Sequence, residues 1–259
     1  MVGSEGGSMA SRLIRLFGMF ANARVRAARS GTRRTPLELS RRRRPESLGR
    51  ARQGLRHLSS GAPAVAHRHS RAEGCRSAAD SVAYRPAPLH IVNNGHTIQV
   101  DYEPGSSITV GDRRYELKQF HFHHPSEEKI NGKGYAMVAH LVHAAADGSL
   151  AVVAVLLDAR GSANPLVSRL WQYLPAQEGP EKALDDVQID VTGLLPTDRG
   201  YYTFTGSLTT PPCTENVTWF VLKAPEPISQ GQADAFGRIY PRDARPTQPL
   251  HGRDVLMSK

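Results

Sequence analysis

Side-chain types capable of metal binding and acid–base chemistry concentrate in the stretch Leu117-Lys-Gln-Phe-His-Phe-His-His-Pro-Ser-Glu127. On an extended strand, side chains alternate between faces, so Gln119, His121 and His123 project from one face and Phe120 and Phe122 from the other. His121 and His123 then lie about 7 Å apart along the strand, close enough to converge on one ion. A third imidazole, His140, follows 17 residues later in Tyr135-Ala-Met-Val-Ala-His-Leu-Val-His143, sharing a face with Val138 and Val142. If the two strands pair, three imidazoles meet at one point and a fourth position stays open, the arrangement of a catalytic rather than a structural zinc. A single histidine in a sheet is ordinarily packing; the His-x-His pair followed by a third histidine is what points to a metal.

Those strands must be held by a sheet. From about Ser81 onward the chain consists of short apolar segments separated by turn residues. Strands are predicted over 89–92, 96–102, 116–123, 135–143, 150–157, 201–205 and 217–222, with turns at Asn94-Gly95, Pro104-Gly105, Asn131-Gly132 and Asp147-Gly148. Asp147-Gly148 between two apolar runs is a strong hairpin signal. A helix is predicted to begin near Ser229, where Ala233, Phe236 and Ile239 recur every three residues. The expectation is a mainly β domain over 81–259 with minor α.

The remaining 80 residues differ in kind. Residues 1–80 carry 17 Arg, no Lys and five acids, a balance of +12, whereas 81–259 balance at −3 within the overall +9. The basicity belongs to an Arg-rich arm, expected to be solvated and disordered, with a targeting segment or a mis-assigned start as the other readings. Arg12 and Arg15 interrupt Leu13 to Phe20, so the unbroken apolar core of a secretory signal is missing. The run Leu16 to Ala21 is far shorter than the roughly 20 residues of a membrane-spanning helix. Two cysteines, Cys75 and Cys213, exclude a disulfide-rich scaffold and a zinc site of several thiolates. The arm has no aromatic or groove-reading pattern, so no specific nucleic-acid partner is expected.

The spacing His121-x-His123, Glu127 and Gly134 also suits the first motif of cupins, but Tyr115 stands where their glycine belongs and no Pro-x-Gly-x-x-His segment follows. The downstream run Gly206-Ser-Leu-Thr-Thr-Pro-Pro-Cys-Thr-Glu-Asn-Val-Thr-Trp219 decides between them. With Asn93-Asn-Gly-His96, Gln119-Phe-His-Phe-His123, His140-Leu-Val-His143 and Arg245-Pro-Thr-Gln-Pro-Leu250, it closely resembles the α-class carbonic anhydrases, particularly the bacterial ones, from about Val82 to the C-terminus.

The resemblance implies a central, twisted, largely antiparallel sheet and the zinc-dependent, reversible hydration of carbon dioxide to bicarbonate and a proton. It implies Zn2+ on His121, His123 and His140, with Glu127 and Thr209 orienting the attacking oxygen and His96 as proton shuttle. Val142, Val152, Leu208, Thr210 and Trp219 match the substrate pocket, and Gln119 matches the residue that holds the ring of His121. A periplasmic or secreted location follows by resemblance alone, with the cytoplasm left open.

Some positions depart from the family pattern. Val138 stands where many members have a Glu that accepts the free ring proton of the third ligand, so His140 is expected to lack that partner, weakening the site. Glu128 stands where His is common, and Asp243 where Asn is common. The family's His-Trp-x-Tyr and Gln-Ser-Pro segments are not found in 1–80, and Cys75 lies too close to Asn93 to match the cysteine that pairs with the equivalent of Cys213. A non-catalytic binding module built on the same fold is the alternative that an incomplete N-terminal portion would favour.

Overall fold

The computed structural model of the protein describes residues 81–258. In chain order these form β1 (Ser81–Ala83), β2 (Ala87–Asn93), β3 (Ile98–Asp101), β4 (Ser107–Val110), β5 (Arg113–His123), β6 (Met137–Ala144), β7 (Leu150–Asp158), helix α1 (Pro165–Trp171) and β8 (Lys182–Ile189). A short 3-10 helix at Val191–Leu194 is followed by β9 (Tyr201–Ser207), β10 (Glu215–Leu222), β11 (Glu226–Pro227), helix α2 (Gln230–Gly237) and β12 (Leu256–Met257). The strands join in one twisted sheet ordered β12-β9-β10-β7-β6-β5-β3-β2-β8, with β4 also on β5, β1 on β4 and β11 on β7. The pairings β10–β7 and β11–β7 are parallel and the rest antiparallel. The sheet is therefore mixed, and largely antiparallel as expected.

Period-two alternation divides the buried side chains of the central strands between two faces. Phe120, Phe122, Ala139, Leu141, Val153 and Val155 turn to one side, where Leu166, Leu170 and Phe236 of the two helices cover them. Val138, Val142, Val152, Ala154, Leu156 and Trp219 turn to the other. Because both faces are covered, β6 is buried from Met137 to His143. His140 thus belongs to the second face although its strand reads as one apolar run.

The predicted strands are found with shifted ends, and the turns carry the glycine conformations they need. Asp147-Gly148 closes the β6–β7 hairpin with Gly148 at φ 84°, a left-handed conformation natural to glycine. Ser229 caps α2: its hydroxyl accepts from Gln232 N–H, while the Gln232 side chain accepts from Ser229 N–H, a reciprocal capping box. Helix α1, capped by Asn164 with Pro165 at its first position, was not anticipated, although Asn-Pro is a helix-start signal. Strand β8 was also missed, because as an edge strand it is mostly exposed and has no clean alternation. The Arg-rich arm and Cys75 lie outside the described residues. Among those residues, no helix is long and apolar enough to cross a membrane, and Cys213 is an exposed, free thiol.

Candidate metal centre

The register of three strands assembles the site. β5 and β6 pair antiparallel with His121 opposite His140 and His123 opposite Val138, while β3 places Gln99 opposite His121. One nitrogen from each of His121, His123 and His140 lies within 4.8 Å of the other two. The ring centroids are 4.9 to 5.4 Å apart, and all three residues are buried. Three imidazoles from two adjacent strands form the donor set suited to zinc, with Glu127 Oε2 3.7 Å from His123 Nε2 and 3.9 Å from His140 Nδ1.

The outer nitrogens show which inner ones remain available. His121 Nδ1 lies 2.9 Å from Gln119 Oε1, so its Nε2 is free. His140 Nε2 lies 2.8 Å from Glu128 Oε1; a carboxylate can only accept, so Nε2 carries the proton and Nδ1 keeps its lone pair. This corrects the expectation that Val138 leaves His140 without an acceptor, because the carboxylate arrives from the loop after β5 rather than from the strand. His123 Nδ1 sits 3.8 Å from Asp243 Oδ2, and both ring nitrogens of His123, Nε2 among them, are buried with no side-chain hydrogen-bond partner among the described residues. An orphaned buried nitrogen costs about 1–3 kcal/mol, so its placement among two other available imidazole nitrogens fits a metal ligand.

Burial dominates the electrostatics. It depresses the pKa of His121 to about 3 and of His123 to about 2, with the neighbouring imidazoles adding to the effect; both rings are therefore neutral, as ligands must be. On His140, burial also pulls downward, but Glu128, Glu127 and Asp243 outweigh it and the net shift is upward. Burial raises Glu127, against the pull of His140 and of hydrogen bonds from the Thr209 side chain and Arg245 N–H. Arg245 N–H donates to Glu127 Oε1 at 2.6 Å, and Glu127 Oε2 lies 3.7 Å from His123 Nε2. Asp243, raised to about 7 by burial, accepts from His124 N–H at 2.7 Å.

The predicted pocket residues gather beside the three rings. Val142, Val152 and Trp219 are buried in one apolar cluster, with Leu208 packed against it, and the Trp219 ring meets His140 edge-on at 4.9 Å between centroids. Thr209 and Thr210 follow Leu208 in the loop between β9 and β10, half-buried. His96 is exposed on the turn between β2 and β3, its N–H bonded to Asn94 Oδ1. Two contacts of buried histidines have no local signal in the sequence. In the sequence Glu128 stands out only as a departure from a common His, and the fold of the 124–134 loop turns it toward His140. Tyr84 OH meets the buried His143 at 2.8 Å, a pairing across 59 residues with no local signal.

Comparison with known proteins agrees with this geometry. The family model for eukaryotic-type carbonic anhydrases matches residues 76–259. A carbonic anhydrase of Nostoc sp. is 44% identical over 173 residues, covering 67% of this chain and 65% of that protein. One from Neisseria gonorrhoeae is 42% identical over 214 residues, covering 82% and 84%. Among solved structures, the complex of α-carbonic anhydrase from Thermovibrio ammonificans with the inhibitor sulfanilamide matches with a TM-score of 0.67 at 40% identity, over 71% of this chain and 80% of that one. With a matched segment that contains the whole three-histidine site and the sheet that carries it, the chain belongs to the eukaryotic-type, or α, carbonic anhydrase family.

Proposed function

We propose that this protein catalyses the reversible hydration of carbon dioxide to bicarbonate and a proton, using zinc held by His121 Nε2, His123 Nε2 and His140 Nδ1. The observation that carries the reading is the convergence of three buried imidazole nitrogens within 4.8 Å, beside a carboxylate and a hydroxyl, in a chain of this family. When bound, zinc supplies Lewis acidity, the means of making a nucleophile from water at neutral pH.

The protein's own groups do the rest. Glu127 accepts hydrogen bonds from Arg245 N–H and Thr209, so the Thr209 hydroxyl spends its proton on Glu127 and turns its lone pairs to the attacking oxygen. That fixes the direction from which the oxygen meets the carbon of carbon dioxide. Val142, Val152, Leu208 and Trp219 present an apolar wall suited to a linear, uncharged substrate and poorly suited to retaining bicarbonate. Gln119 holds the ring of His121. His96, exposed on its turn, has an imidazole suited to carrying the released proton to buffer near neutral pH.

Metal analysis and stopped-flow carbon dioxide hydration on the full chain test this. The expected result is about one zinc per chain with hydration well above the buffer rate, and loss of both in His121→Ala, since two imidazoles hold zinc poorly. A zinc-loaded chain with no hydration above buffer would replace this reading with a binding module on the same fold.

A further inference from the structure

Resting on the zinc reading above, we propose that Glu128 is the positioning residue for His140, and that Glu128 and Val138 are a transposed pair in which a loop has taken over the carboxylate that the strand could have carried. Residues 138 and 140 share a face of β6, so a carboxylate at 138 could reach the His140 ring. Instead Val138 is fully buried and packed with Leu156 and Trp219 in the apolar cluster. Glu128 approaches the same ring from outside the sheet, its Oε1 2.8 Å from Nε2.

The loop is fastened in a way that supports this task. Ser126 is buried; its hydroxyl accepts from Tyr135 N–H at 2.9 Å and donates to the Glu128 carbonyl at 2.9 Å, and its N–H donates to the Tyr135 carbonyl. Four residues on, Ile130 and Lys133 exchange both backbone hydrogen bonds around Asn131 and Gly132, which have φ of 52° and 78°, the left-handed pair of a two-residue hairpin turn. Glu128 therefore leaves a doubly tied segment. Its second oxygen is buried without a partner among the described residues, a penalty that a surface orientation would avoid and that the bond to His140 offsets. With the Nε2 proton held by Glu128, Nδ1 presents its lone pair toward His121 and His123.

The consequence is a division of labour different from a strand-borne carboxylate. Glu128 sets the tautomer and orientation of the third ligand, and Val138 is left free to line the apolar cluster. Installing a carboxylate at 138 beside Glu128 places two acceptors against one ring proton and gains nothing.

The test uses the full chain loaded with zinc, measuring zinc release to excess chelator in wild type, Glu128→Ala, Glu128→Gln, Val138→Glu and the double variant Glu128→Ala/Val138→Glu. Release is expected to quicken about 10-fold or more in Glu128→Ala, with Glu128→Gln intermediate because its amide oxygen still accepts. Val138→Glu alone is expected to release zinc no more slowly than wild type, and the double variant to move back toward wild type. Nitrogen-15 NMR of the His140 ring in the metal-free wild type should show the proton on Nε2, a preference that metal-free Glu128→Ala should lose and that a merely structural role for Glu128 would not set; unfolding of the metal-free variants controls for folding. Zinc release from Glu128→Ala at the wild-type rate, or a His140 proton on Nδ1, overturns the proposal. Should the double variant fail to fold, those two measurements decide. A wild type that binds no zinc, or a His121→Ala that keeps it, instead overturns the zinc reading.

Discussion

A histidine's chemistry is decided by what its two nitrogens meet. In the segment His140-Leu-Val-His143 both imidazoles are buried, yet residues 140 and 143 lie on opposite faces of β6. One ring joins two other imidazoles; the other pairs with Tyr84 OH and stacks on its ring at 5.9 Å. His96 differs from both in being exposed, and its predicted role depends on that exposure, since a shuttle must hand its proton to solvent. Replacing it with alanine should slow turnover by at least about 10-fold in dilute buffer and leave it nearly unchanged in concentrated buffer, with added imidazole restoring the rate. Stopped-flow measurements over a buffer series check this. An equal loss at every buffer concentration would mean that His96 serves the fold and not proton transfer.

At the scale of the element, the wall of the apolar pocket depends on a glycine. Gly206 on β9 sits opposite Val217 of β10, next to a register shift. A Cβ added there would lie 3.0 Å from the Trp219 ring and 3.2 Å from Phe204. The two aromatic rings are stacked at 6.1 Å, nearly parallel, and Trp219 Nε1 donates to the Ser207 carbonyl at 3.2 Å, so the indole has little room to retreat. Gly206→Ala should displace it, destabilise the protein by about 1–3 kcal/mol and lower the Tm by several degrees. Trp219 is one of two tryptophans in the chain, so its displacement should also shift the fluorescence emission. Calorimetry with an unchanged Tm and an unchanged emission spectrum would show that the strand absorbs the methyl without moving the wall.

The whole molecule carries opposing acid–base demands in its interior. Burial depresses His143 to about 4, alongside His121 at about 3 and His123 at about 2, while it raises Asp243 to about 7 and also raises Glu127. The depressed histidines contribute stability that is present above their ordinary value near 6.5 and is lost as pH falls toward the folded values, because the unfolded chain takes up protons first. The raised carboxyls act the other way, contributing stability below the ordinary carboxylate range that is lost as pH rises through the folded value. These partly offset, so a difference between two proteins isolates one group. Metal-free wild type should lose roughly 3 kcal/mol more stability between pH 7 and 4 than a His143→Gln variant, whose side chain does not titrate. Denaturant unfolding at the two pH values measures it, and parallel pH profiles for the two proteins would show that His143 takes up its proton equally in the folded and the unfolded state.

Local sequence determined strands β2, β3, β5, β6, β7, β9 and β10, because alternation and turn residues report which face of a chain is wet, but not the short or exposed β1, β4, β8, β11 and β12. It placed His121 and His123 on one face, marked Asp147-Gly148 as a hairpin and Ser229 as the start of a helix, and carried the motifs by which the family is recognised. It could not determine what depends on contacts between distant segments. The pairing of His121 with His140 required the register of β5 on β6, and Tyr84 reaches His143 only because β1 joins the sheet through β4. Glu128 shows the limit most clearly: read locally it is an acid in a polar turn, and alternation along β6 indicates that His140 has lost its acceptor. The loop supplies that acceptor from twelve residues away. A hydrogen bond needs only an acceptor at the right point in space, whichever segment delivers it, and that point is decided by the tertiary fold.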